Sequence, residues 1–66
     1  MNLKIDLARQ IGNMCVYKVS YIAEPNRMAL VTEVTPVHTE SGITYNWSND
    51  VLPEFVMDFF EKWYEA

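Results

Sequence analysis

Sixty-six residues with a formal charge of -4, half of them apolar and 14% aromatic, allow one domain, residues 1–66, with one modest core. A single cysteine, Cys15, excludes an internal disulfide, and no cysteine and histidine set has the spacing of a zinc site. No stretch approaches the roughly 18 apolar residues of a membrane span, and the first residues lack the succession of a signal peptide, so a cytoplasmic, reducing setting is expected, with Cys15 a small buried hydrophobe.

In chain order, the opening segment "MNLKIDLARQIGN" supports two patterns. Leu3, Leu7 and Ile11 recur every four residues ahead of Gly12 and Asn13, as in a short helix, whereas Leu3, Ile5 and Leu7 alternate as in a strand. The helix formers Ala8, Arg9 and Gln10 favour a helix over 3–11. Next, "MCVYKVSYIAE" reads as a strand with Cys15, Tyr17, Val19, Tyr21 and Ala23 on one side and Lys18, Ser20 and Glu24 on the other. "EPNR" reads as a tight turn. The segment "MALVTEVTPVHT" places Met28, Leu30, Val34 and Pro36 on one face and Ala29, Val31, Glu33 and Thr35 on the other. With both faces partly apolar it suits a central strand, until Pro36 forces an end, a bulge or an edge. After a turn at Gly42, "ITYNW" reads as a third strand with Ile43, Tyr45 and Trp47 inward.

Asp50 is the expected N-cap of a final helix, with Leu52 as the alternative because it precedes Pro53. Leu52, Phe55, Val56, Phe59, Phe60 and Trp63 then form one broad apolar face flanked by Tyr64. The expected fold is therefore α+β: a three-stranded antiparallel meander, an amphipathic C-terminal helix packed on one face, and a short N-terminal helix.

The charge is concentrated in the tail. Asp50, Glu54, Asp58, Glu61 and Glu65 face one base, Lys62, while the first 49 residues are neutral overall. Four of these acids, Glu54, Asp58, Glu61 and Glu65, fall on a helical wheel within an arc of roughly 60° opposite the ring-rich face. Such a stripe keeps a small protein soluble, and it also imitates the spaced negative charge of a nucleic-acid backbone. The second property predicts docking into a basic surface of another protein, with Tyr64 as an aromatic anchor. Direct contact with nucleic acid or an anionic membrane is disfavoured by the same charge, since Lys4, Arg9 and Lys18 do not cluster in sequence.

Catalytic signatures are weak. His38 near Glu40, or a carboxylate pair such as Glu33 with Asp6, provides the only motivation for a small enzyme or a cation site. Gly12 and Gly42 are isolated, and no phosphate-binding or dinucleotide motif is present, so no cofactor or metal is expected. In size and charge the chain resembles small acidic proteins of phages and mobile elements that disable host defence machinery, a likeness that implies an inhibitor without indicating its target. The reading is a protein-binding regulator or inhibitor, no enzyme, with a homodimeric structural or accessory module as the alternative, joined through a strand edge or surplus aromatic residues.

Overall fold

The computed structural model describes residues 3–23, 28–49 and 51–66. It is α+β, with four strands followed by one helix: β1 (Leu3–Ile11), β2 (Met14–Ala23), β3 (Met28–Thr39), β4 (Gly42–Trp47) and α1 (Glu54–Glu65). The strands form one antiparallel sheet in the order β1-β2-β3-β4.

This corrects the expected three-stranded sheet with an N-terminal helix. Residues 3–11 are a fourth strand, and Gly12 and Asn13 form a two-residue hairpin loop between Ile11 and its partner Met14. Gly12 has φ +60°, a left-handed conformation that a tight hairpin needs and a side chain resists. Glycine followed by asparagine between two apolar runs thus acts as a hairpin signal here, outweighing helix propensities that differ by only a few tenths of a kcal/mol.

Strand pairing puts Ile5 beside Val19, Val19 beside Thr32, and Val34 beside Trp47, so these side chains share the inner face. The alternation expected for β2, β3 and β4 agrees with this register. Cys15 is half-buried. Val16 on the outer face is buried as well, which alternation alone does not anticipate. The ladder between β2 and β3 ends at Tyr17 and Val34, so Pro36 is paired only on its β4 side, opposite Tyr45. Proline is tolerated there because the strand has become a local edge. The turn expected at 24–27 lies outside the described residues.

Helix α1 starts later than expected. Asp50, the expected cap, lies outside the described residues; Pro53 stands at the N-cap with φ -62° and ψ 142° and no side-chain cap. Leu52 is held out of the helix because it precedes proline. Once started, the helix buries Val56 and Phe60 against Val19, Tyr21 and Val34, with Tyr17, Tyr45, Trp47 and Tyr64 around them. The Phe60 ring meets Tyr45 and Trp47 edge-on at centroid separations of 5.8 and 5.6 Å and stacks on Tyr64 at 5.8 Å. Such pairs contribute about 0.5–1.5 kcal/mol beyond the burial of their area.

The apolar arc of the helix is broader than its seat. Phe55, Phe59 and Trp63 remain 43%, 42% and 47% exposed, the first two beside Leu3 of β1. Phe55 reaches Tyr21, the partner of Leu3, and Trp63 reaches Tyr17, the partner of Leu7. The helix therefore runs over β2 in the same direction as β1.

Candidate functional site

Helix α1 presents three sides. One, centred on Phe60, is seated on the sheet; one carries the exposed rings Phe55, Phe59 and Trp63; the third carries carboxylates to solvent, with Glu65 reaching β4 through Tyr45 and Asp58 bordering Phe55 and Phe59 beside Leu3 of β1.

The carboxylates differ in how firmly they are held. Glu54 and Asp58 are exposed, Glu61 is half-buried, and Glu65 is exposed with its carboxylate accepting a hydrogen bond from the Tyr45 hydroxyl. That bond ties the last turn of the helix to β4. Burial, followed by the bond to Glu65, raises the Tyr45 pKa well above the ordinary tyrosine value, because the phenolate would be both poorly solvated and next to a negative charge. Lys62, the one base on the helix, is exposed beside Glu61 and Glu65.

Tyr64 is half-buried. Its ring packs against Phe60, Tyr17 and Tyr45, and its hydroxyl shares a 2.6 Å hydrogen bond with His38 Nε2. The rings with large exposed area are instead Phe55, Phe59 and Trp63, which sequence periodicity assigns to the core. Periodicity defines the width of an apolar face; the seat within it depends on where the sheet lies. A hollow of about 340 Å³ opens between the first two of these rings and the start of β1, lined by Leu3, Phe55, Asp58, Phe59 and Lys62.

The residues that motivated an enzyme or cation site are not brought together. His38 lies on the inner face of β3 and bonds Tyr64, while Glu40 is exposed in the following turn. Glu33 is on the outer face in a 2.8 Å salt bridge with Arg9, and that hydrogen bond lowers its pKa. Asp6 lies 3.9 Å from Lys4. Among the described residues no group of three or more His, Cys, Asp or Glu is placed to hold a metal ion, and no helix is long and apolar enough to cross a membrane.

In comparisons with known proteins, the chain matches no family model, no curated protein and no solved structure.

Proposed function

We propose that this protein acts by binding another protein, without turnover, as a small regulator or inhibitor, and that the acidic side of α1 is its contact. The observation that supports this reading is the placement of Glu54, Asp58, Glu61 and Glu65 along one side of the helix, away from its seat, in a chain whose net charge is -4. Carboxylates spaced along a rigid rod complement an Arg or Lys channel, speed encounter and compete with the phosphates such a channel ordinarily holds. The partner class is accordingly a protein with a basic surface, including the nucleic-acid-binding proteins of phage defence, met in the cytoplasm.

The hydrogen bond from Tyr45 supports this reading by holding Glu65 in place before a partner arrives, which reduces the ordering cost of binding. Tyr64 contributes its remaining exposed edge next to Glu65. Phe55 and Phe59 border this side only at Asp58, so the contact is dominated by charge and is expected to be salt-sensitive.

The test uses two baits, the wild-type chain and a folded E54Q/D58N/E61Q/E65Q variant, in affinity capture from the native cell followed by titration of the captured protein at rising salt. A basic protein retained by the wild type, lost by the variant and weakened by salt is expected. Equal retention by both baits would remove the acidic side from the account.

A further inference from the structure

We propose that β1 is the dimerisation edge of this protein, and that a second copy pairs with it antiparallel about a two-fold axis passing through Ile5. β1 is the first strand of the sheet, with β2 on one side and, among the described residues, no strand on the other. Its regular portion is the five-residue run Leu3 to Leu7, which ends where the register shifts between Leu7 and Arg9. Read about its centre, "LKIDL" is self-complementary. An axis at Ile5 places Lys4 opposite Asp6 of the second copy and Asp6 opposite its Lys4, both on the outer face. On the inner face Ile5 meets Ile5, and Leu3 meets Leu7 twice. A lone lysine on an edge strand guards against pairing. Lysine and aspartate placed symmetrically about one residue instead select a single register, because any shift by two residues leaves a charge opposite an apolar or like-charged neighbour.

Helix α1 carries an independent observation. Of its exposed rings, Phe55 and Phe59 border Leu3 across a hollow, Phe55 packs on Tyr21, the register partner of Leu3, and Trp63 packs on Tyr17, the register partner of Leu7. Eight residues of helix rise roughly 12 Å and four residues of strand roughly 13 Å, so Phe59, midway along the row and bordering Leu3, falls between the levels of Leu3 and Leu7. The axis that satisfies the strand therefore brings Phe59 toward Phe59 and Phe55 toward Trp63 of the second copy. Asp58 and Lys62, which line the same hollow, are brought toward each other's opposite charge. Leu7, 58% exposed in the single chain, is covered in the same arrangement. The product is one continuous eight-stranded sheet with both helices on one face, in which the contact is isologous and closed.

The experiment measures mass by sedimentation for the wild type and for the single variants K4D and D6K, each confirmed as folded by circular dichroism. The wild type is expected at twice the 7.7 kDa chain mass. Each variant alone faces like charges at both symmetric positions and should need about tenfold or more higher concentration to dimerise. Mixed together, K4D and D6K place acids opposite lysines at every position, so the mixture should regain wild-type dimerisation. F59A, altered at an exposed ring, should also weaken the dimer and serves if D6K, which sets a second lysine opposite Lys18, does not fold. A wild-type chain that remains monomeric at its highest soluble concentration overturns the proposal. So does a dimer that K4D and F59A leave unchanged.

Discussion

Replacing Phe60 by alanine tests the seat of the helix most directly, and its neighbour Phe59 provides the control. Phe60 is fully buried and its ring touches Tyr17, Tyr45, Trp47 and Tyr64. Removing it forfeits about 2–3 kcal/mol of burial, together with ring-pair contacts and the cost of the cavity left behind, about 3–5 kcal/mol in all. A domain of this length has only about 3–10 kcal/mol of stability, so F60A is expected to be unfolded or nearly so at room temperature. Phe59 is 42% exposed, and alanine there should cost about 1–1.5 kcal/mol in the isolated chain. Urea denaturation followed by far-ultraviolet circular dichroism, at several protein concentrations, separates the two. F60A should lose stability at every concentration, whereas the F59A deficit should grow as concentration rises and the wild type gains from self-association. An F60A chain within about 1 kcal/mol of wild type, or a dilute F59A chain as damaged as F60A, would show that the seat has been assigned to the wrong ring.

Gly12→Ala should cost about 1–2 kcal/mol by urea melt, wholly from backbone strain at φ +60°, because an added Cβ meets nothing within 4 Å; Gly12→Asn should cost less. The raised pKa of Tyr45 means that its neutral form is favoured in the folded chain. The stability linked to it is therefore complete below the unfolded value of about 10 and is lost as pH rises above it. In alkaline melts Tyr45→Phe should flatten that loss, and an unchanged pH profile would count against the Tyr45 bond to Glu65. Glu33 has the opposite sign: its pKa is lowered by Arg9, so the stability linked to it is present above about pH 4.5 and fades as pH falls through the lowered value. Glu33→Gln should lessen the acid sensitivity of the melt.

Much of the fold was legible because it is local. The alternation of Tyr17, Val19 and Tyr21, and of Ile43, Tyr45 and Trp47, follows directly from the two-residue repeat of a strand, and the final amphipathic run follows from the helical repeat. Residues 3–11 satisfy both repeats, since Leu3 and Leu7 share a side in either form. The choice is made by β2, whose inner residues Val19 and Tyr21 need a neighbour that only tertiary pairing supplies. Likewise the order of chemistry around α1 was legible, acids on one side and rings on the other. Which rings are covered was not, because a single helix on a four-stranded sheet contacts a stripe through Val56 and Phe60 much narrower than its apolar arc. The Tyr45 link to Glu65 and the Tyr64 link to His38 join residues 20 and 26 positions apart, beyond the reach of pattern reading.

Because α1 follows all four strands in the chain, the sheet's inner face has no cover while it is being made. Val19 and Val34, sealed in the finished molecule by Val56 and Phe60, depend for that cover on residues 54–65. Hairpins form within microseconds, but a sheet with one wet apolar face and two open edges is a poor resting state. A chain stopped before Glu54 therefore lacks the cover for Val19 and Val34 and exposes the apolar face by which unfinished sheets aggregate.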